Sequence, residues 1–302
     1  MPPTTRQRPM ARLRSGLRHY SKRAVSPGRG DLITLTLNER GRTIKAWCPD
    51  DEVFTLTREL VLDRIYESDV IALRPGLGTV LDAGAHVGIF SLQASQWAKR
   101  VVALEANRIN FDLLSLNVDR NALDNVEPRH LALWKTTSEA MPFSTAHHSG
   151  GGRVDEESGD EGTGAVRYVR TVSLDDLVSE LGPIDLLKVD VEGAEYEALG
   201  ACESLGSISQ IVGELHLEQD GDDARLRSLL CLLEDHGFSV SLVTETELLS
   251  APRIARLWRN RNALNGKRLV KILAAAYYLA PIEKPIRSPG ATYELPILFA
   301  HR

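Results

Sequence analysis

Apolar and polar positions along this chain follow two alternating rhythms. Short apolar runs of strand length occur at residues 79–83, 101–105, 126–133, 184–190, 209–216 and 238–243, and again from Tyr293 to Ala300. Between and after them, residues 87–98, 108–122, 173–181, 193–205 and 221–236 carry helical spacing. Apolar strands separated by amphipathic helices predict an α/β fold. The expected core is a doubly wound, mostly parallel seven-stranded sheet covered on both faces, with an antiparallel final strand closing one edge. Upstream, residues 32–38 and 43–47 alternate around Asn38–Gly41 and predict a hairpin. Thr57 to Tyr66 has helical spacing through Leu60, Val61 and Ile65 and predicts a lead-in helix.

These patterns divide the chain. Residues 1–30, with Pro2, Pro3, Pro9, Pro27 and several arginines, are expected to form a basic, mobile arm with a helical turn near Met10–Lys22. Residues 31–75 hold the hairpin and lead-in helix, and 76–302 form the main domain. Two insertions interrupt that domain. His147 to Gly164 is rich in Gly, Ser, Asp and Glu and reads as a loop. Residues 249–290 read as a basic helical insertion before the last strand, with Ile254, Leu257 and Trp258 on one face.

Composition narrows the class. The 302 residues suffice for one domain with additions, and 43% hydrophobic with 25% charged residues is ordinary for a soluble globular protein. No apolar run reaches the roughly 18 residues of a membrane span, and the arginine-bearing N-terminus lacks the apolar core of a secretory signal. Cys48, Cys202 and Cys231 show neither metal spacing nor a disulfide framework, so a cytoplasmic location is expected. The net charge of −5 is unevenly spread. Residues 1–30 carry eight basic residues and no acid, and 248–282 carry seven and no acid. Residues 31–247 hold 18 basic and 39 acidic residues. Such basic flanks are expected to fold back, to meet a second copy in a homo-oligomer, or to meet an anionic substrate. A nucleic-acid partner is not expected, because the basic face would then lie on the main domain.

Candidate chemistry begins at Asp82-x-Gly84-x-x-x-Gly88, where an apolar strand opens through glycines toward a helix. Such a turn lets a ligand approach bare backbone amides. The pattern is not the Gly-x-Gly-x-x-Gly that cradles a pyrophosphate. A carboxylate here repels phosphate but can anchor a cationic amino group such as that of S-adenosylmethionine. Glu105 ends the second strand 23 residues after Asp82, the place from which a carboxylate accepts ribose hydroxyls. Asp82, Gly84, Ala85, His86 and Gly88 are therefore candidates for the methionine part of that cofactor and Glu105 for its ribose. Ala106 and Asn107 are candidates near the adenosine, and Ala132 and Leu133 at the adenine edge. Each also has a plainer reading, as a turn without a ligand or a solvated strand end.

Proton acceptors must lie at the C-terminal ends of central strands. One strand delivers Asp190 and Glu192, the next Glu214 and His216, and in each pair alternation sets both on one face. Asp190 is the first candidate for the base, and it also faces the cofactor; His216 and Glu214 follow. No metal is firmly assigned, although Asp190, Glu192, Glu214 and His216 together could hold a divalent ion. Competing roles stand beside these. Glu192 can cap a helix, Glu195 reads as a first-turn charge, and His216 as a structural histidine. Lys188, mid-strand, needs a carboxylate partner, either Asp82 or Asp190. Asp175 and Asp176 read as helix N-terminal residues after Ser173, and His147 and His148 as loop residues without a metal.

Five motifs occur in order: Asp82-x-Gly84-x-x-x-Gly88, Glu105-Ala106-Asn107, Asn117-x-x-x-Asn121, Val172-Ser173-Leu174-Asp175-Asp176-Leu177, and Asp185-Leu-Leu-Lys188-Val-Asp190-Val-Glu192-Gly-Ala-Glu195. Together they resemble the FkbM-type S-adenosylmethionine-dependent methyltransferases, over residues 79–245 and the final strand. The last two motifs at this spacing are specific to that family. The resemblance implies a Rossmann-like sheet, S-adenosylmethionine as methyl donor with S-adenosylhomocysteine as product, and methyl transfer to oxygen, often on sugar hydroxyls of natural products or glycolipids. The chain departs from the family pattern at His86, usually Asn or Tyr, and at Ala106, usually Pro; neither change removes a carboxylate or a glycine. The acidic 147–164 insertion is atypical. O-methylation of a small or glycosylated acceptor is the expected activity. N-methylation of a small metabolite, or a non-catalytic module recruiting a partner through 249–290, are the alternatives. A nicotinamide-dependent oxidoreductase lacks support, for the chain has no pyrophosphate turn and no Tyr/Lys hydride-site pair.

Overall fold

The structure, a computed structural model, describes residues 32–39, 42–49, 56, 65–68, 71–145, 152–154, 167–216, 222–244 and 296–302. A hairpin of β1 (Leu32–Glu39) and β2 (Arg42–Pro49) comes first. The chain then alternates through β3 (Leu77–Ala83), α1 (Ile89–Ala94), β4 (Ala98–Leu104), α2 (Arg108–Arg120) and β5 (Val126–Arg129). Four strands follow: β6 (Ala132–Leu133), β7 (Ser138–Thr145), β8 (Gly152–Val154) and β9 (Arg167–Val172). Alternation resumes with α3 (Leu174–Leu181), β10 (Leu186–Val189), α4 (Glu195–Gly200), a 3-10 turn (Glu203–Ser207), β11 (Gln210–Glu214), α5 (Asp222–Asp235), β12 (Ser239–Thr244) and β13 (Pro296–His301).

The main sheet has seven strands in the order β12-β13-β11-β10-β3-β4-β5. Its pairings are parallel except those of β13, which runs antiparallel to both β11 and β12. The last strand therefore does not close an edge, as the sequence suggested, but sits between two others. Its composition explains why: Pro296 to Ala300 are all buried, and a strand covered on both faces must be apolar on both.

Alternation along the central strands splits the core into two layers. Val80, Val101, Leu186, Val212 and Phe299 face the hairpin, α1 and α2. Leu81, Val102, Leu187, Ile211 and Leu298 face α3, α4 and α5. Asp82 and Lys188 occupy positions of the first layer and are register neighbours on β3 and β10. Two charges thus sit side by side in the middle of an apolar face. No helix among the described residues is long and apolar enough to cross a membrane.

Three expectations are corrected. The run 126–133 is not one strand: β5 joins the main sheet, while β6 pairs with β9 in a separate sheet of order β6-β9-β7-β8. That second sheet was not foreseen, although β9 alternates cleanly between exposed and buried positions over most of its length. The 147–164 stretch, read as a loop, contains β8, which pairs with β7. The remainder of that stretch, the 1–30 arm, most of the lead-in helix and the 249–290 insertion lie outside the described residues. The helix expected over 193–205 is broken into α4 and the 3-10 turn.

Asn117 and Asn121, one turn apart on α2, dock the hairpin by imitating a strand. Asn117 Oδ1 accepts from Trp47 N–H at 2.6 Å, and its Nδ2 donates to Trp47 O (2.9 Å) and to Val87 O (2.8 Å). Asn121 makes the same pair of bonds to Lys45 N–H (3.0 Å) and Lys45 O (2.8 Å). Asn117 has no exposed surface, so its loss strands buried backbone groups. Asn117→Ala is expected to destabilise the chain by about 2–3 kcal/mol in urea unfolding. It should also speed hydrogen exchange at the Trp47 amide, whereas Asn121→Ala, on the exposed side, should cost less.

Candidate active site

Strand order reverses direction at β3, and the C-terminal ends flanking such a point form the crevice where ligands bind in open α/β sheets. Four strands deliver chemistry there. They bring the Asp82–Gly88 turn after β3, Glu105 after β4, Asp190 and Glu192 after β10, and Glu214 and His216 at the end of β11.

Lys188 is the hub beneath them. Its Nζ lies 3.4 Å from Asp82 Oδ1 and 3.4 Å from Asp190 Oδ2, and it donates to Gly84 O at 2.7 Å. Both candidate partners named from the sequence are therefore used. Asp82 Oδ2 accepts the Ser91 hydroxyl of α1 at 2.5 Å. Asp190 Oδ2 accepts the Tyr66 hydroxyl at 2.8 Å, while the Tyr66 ring stands edge-on to Phe90 and 5.3 Å from the ammonium. Burial works against ionisation of all three charged groups. For Lys188, the carboxylates of Asp190, Asp82 and Glu214 outweigh it and hold the ammonium charged. For Asp190, Lys188, His216 and the Tyr66 hydroxyl do the same and keep its carboxyl below the usual range. For Asp82, with no exposed surface, burial prevails over Lys188 and Ser91 and the carboxyl sits above it. Asp82 thus lies under the turn rather than in its mouth.

The turn itself differs from the expected cradle of bare amides. Gly84 N–H and Ala85 N–H both donate to Leu104 O, Gly88 N–H donates to Ala85 O, and His86 N–H donates to Glu105 Oε2 at 2.7 Å. Gly84 is required by the protein's own backbone. It has φ +76°, and a Cβ there would fall 1.7 Å from Asp190 O, so the glycine lets the ends of β3 and β10 close on each other. His86 takes a left-handed φ of 53° without being glycine, a strained conformation of the kind that clusters at functional sites. The other oxygen of Glu105 accepts Asn107 N–H at 2.7 Å, so this carboxylate staples the two loops together. Burial pushes Glu105 above the usual carboxylate range despite His86 and those amide bonds. Asn107 caps α2 by accepting Ile109 N–H at 3.0 Å, and Ala106 O meets His130 Nε2 at 3.0 Å. The side chains of Ala132 and Leu133 are buried in β6.

On the other flank, Glu195 is fully buried and accepts Val191 N–H (2.8 Å) and Gly193 N–H (2.9 Å). Its Oε1 also lies 3.0 Å from His216 Nδ1, while His216 Nε2 faces Glu192 Oε2 at 3.4 Å. Burial disfavours a charged imidazole, but Glu195, Asp190 and Glu192 outweigh it and push His216 up to about 10. Three carboxylates around the ring thus favour its protonated form. Alternation was expected to set Asp190 and Glu192 on one face, yet β10 ends at Val189. The left-handed turn at Glu192 (φ 56°) and Gly193 (φ 97°) is what returns Glu192 toward His216.

Asp190, Glu192 and His216 are brought together, and Glu214 acts on the group through the charge of Lys188. Sequence reasoning missed three residues. Tyr66 and Ser91 had no local signal. Glu195 did, because an acidic residue reaching back to amides two and four positions earlier is the logic of a capping box. Asp175 and Asp176 hold structure, as expected: Ser173 and Asp176 cap α3, and Asp175 accepts Glu203 N–H and Ser204 N–H. Removing the hub should be costly, since it leaves Asp82 buried without a counter-charge. Lys188→Met is expected to destabilise the chain by about 3–5 kcal/mol in urea unfolding, with part of the loss recovered in the Lys188→Met/Asp82→Asn double variant.

The chain is similar to known proteins over much of its length. AmbE, the AMB antimetabolite synthetase of Pseudomonas aeruginosa, is 32% identical over an alignment of 225 residues, with 61% of this chain and 10% of that protein covered. The methyltransferase sdnD of Sordaria araneosa is 29% identical over 217 residues, covering 61% of this chain and 81% of that one. A crystal structure of methyltransferase FkbM from Methylobacillus flagellatus aligns over 63% of this chain and 48% of its own, with a TM-score of 0.40 and 16% identity. Residues 82–240, more than half of the chain, match the methyltransferase FkbM domain, and the chain belongs to that family.

Proposed function

We propose that this chain transfers a methyl group from S-adenosylmethionine to a hydroxyl of a small or glycosylated metabolite. The observation that carries this reading is the character of the crevice beside β3. The turn amides at Gly84, Ala85, His86 and Gly88 are already bonded within the chain, and Asp190, Glu192, Glu195 and Glu214 gather around the adjoining strand ends. Such a site has little to offer a pyrophosphate and much to offer a positively charged ligand. Bound there, S-adenosylmethionine would supply a methyl group activated by the positive charge on its sulfur. The Ala85–Gly88 turn would hold its methionine part, Glu105 its ribose, and the Ala106–Asn107 and Ala132–Leu133 segments its adenosine end.

Transfer to a hydroxyl forms an O–C bond as the C–S bond breaks, and the hydroxyl proton must pass to a base. Asp190 is that base in this reading. Lys188, His216 and the Tyr66 hydroxyl hold its carboxyl below the usual range, and Tyr66 and Lys188 fix it at the crevice. Holding the acceptor oxygen in line with the methyl carbon is the larger share of the chain's task, because the donor carries its own activation. A secondary-metabolite acceptor is in keeping with a relative named as an antimetabolite synthetase.

Isothermal titration should show one S-adenosylmethionine bound per chain, and no binding would overturn the reading. Mass spectrometry of hydroxylated metabolites incubated with chain and donor should show a shift of one methylene on oxygen. A shift on nitrogen, or none alongside a stable complex formed through residues 249–290, would favour the alternatives. Asp190→Asn is expected to lower kcat/KM by roughly 10²–10⁴-fold while S-adenosylmethionine still binds. An unchanged kcat/KM would remove Asp190 from the role of base.

A further inference from the structure

Asp190, Glu192 and His216 each offer one ligand atom, and these atoms lie within 4.8 Å of one another. They come from two adjacent strand ends, and their arrangement is fixed from behind. Glu195 is fully buried, anchored by Val191 N–H and Gly193 N–H, and it faces His216 Nδ1 at 3.0 Å. The ring is thereby turned so that Nε2 points to Glu192 Oε2 at 3.4 Å. We propose that Asp190, Glu192 and His216 form a divalent-cation site, with Glu195 as the positioning residue that orients the imidazole.

Three features support the site. A metal-bound histidine almost always has its second nitrogen held by a carboxylate or carbonyl, and Glu195 stands in that place. The charge balance also favours a cation: the carboxylates of Asp190, Glu192 and Glu195 surround one imidazole, while Lys188 divides its charge between Asp190 and Asp82. The spacing is close to what coordination needs. Ligands about 2.1 Å from a metal lie roughly 3 Å apart when cis and 4.2 Å when trans, so the group must contract by at most about 1.8 Å. Glu192, partly exposed on its turn, can supply that movement. Two carboxylates with one imidazole and no thiolate suit a cation such as Mn²⁺ or Mg²⁺.

Three protein ligands leave open positions for oxygen atoms of another molecule. If the methyl-transfer reading above holds, and this consequence rests on it, the cation would grip an acceptor that presents two neighbouring oxygens beside Asp190. The site itself does not depend on that reading.

Titrating MnCl₂ into the EDTA-treated full chain at mildly alkaline pH tests the proposal directly. The expected result is a single saturable Mn²⁺ per chain, with nitrogen coupling from the His216 ring in pulsed electron paramagnetic resonance. His216→Ala should abolish that coupling, and both His216→Ala and Glu192→Gln should weaken binding at least about tenfold, as should Glu195→Gln. Glu180→Gln, at an α3 carboxylate paired with Arg129 of β5, should bind as the parent does. Far-ultraviolet circular dichroism of each variant separates lost binding from lost folding. Absence of saturable Mn²⁺ binding overturns the site, as does binding that survives both His216→Ala and Glu192→Gln. In that case His216 is simply an imidazolium shared between two glutamates. Titration of S-adenosylmethionine alongside keeps the two readings apart. A chain that binds the donor but not Mn²⁺ loses only this site, and one that binds Mn²⁺ but not the donor loses only the methyl-transfer reading.

Discussion

A single buried ammonium organises the functional end of this sheet. Lys188 lies mid-strand on β10, opposite Asp82 of β3, on a face otherwise packed with aliphatic residues. A charge so placed is tolerable only when its neighbours are fixed around it. Lys188 therefore constrains the Asp82 carboxylate, the Gly84 carbonyl and the Asp190 carboxylate at once. Through Asp82 it reaches Ser91 and the first helix, and through Asp190 it reaches Tyr66. The close approach of the two strand ends permits this, and Gly84 permits the approach.

The electrostatic character of the crevice follows from that arrangement. Four backbone amides of the turn after β3, those of Gly84, Ala85, His86 and Gly88, are spent on Leu104 O, Ala85 O and Glu105. Carboxylates at the ends of β4, β10 and β11 remain, and Lys188, His216 and His86 stand against them. The same fold can bind pyrophosphates when its glycine turn presents free amides. Here the balance is reversed, and positively charged ligands are favoured, whether a sulfonium donor or a divalent ion.

The surroundings hold this crevice in place by polar as well as apolar means. Two aliphatic layers sandwich the sheet, one beneath the hairpin and the first two helices and the other beneath the last three. The hairpin is not simply packed on: Asn117 and Asn121 continue its hydrogen bonding onto a helix, as a neighbouring strand would. Glu195 plays a similar part on the far flank, replacing missing backbone partners at a left-handed turn while orienting His216.

The order of residues alone establishes the class of fold, the seven runs that became the main sheet, and the strand ends that carry ionisable groups. Those features are local: apolar runs of strand length, helical spacing between them, and glycines or acids directly after a strand. It also limited the partners of Lys188 to Asp82 and Asp190, because a mid-strand ammonium needs a carboxylate near its own register. Packing between distant segments inserts the final strand beside β11 rather than at an edge, since the strands it pairs with are 50 residues or more away in the chain. It alone joined Tyr66 to Asp190, 124 residues apart, and His216 to Glu195. It also bonded the amides of the glycine turn within the chain and set three carboxylates around His216. A turn's amides are free or spent, and an imidazole is neutral or charged, according to what other strands bring beside them, and no local pattern records that.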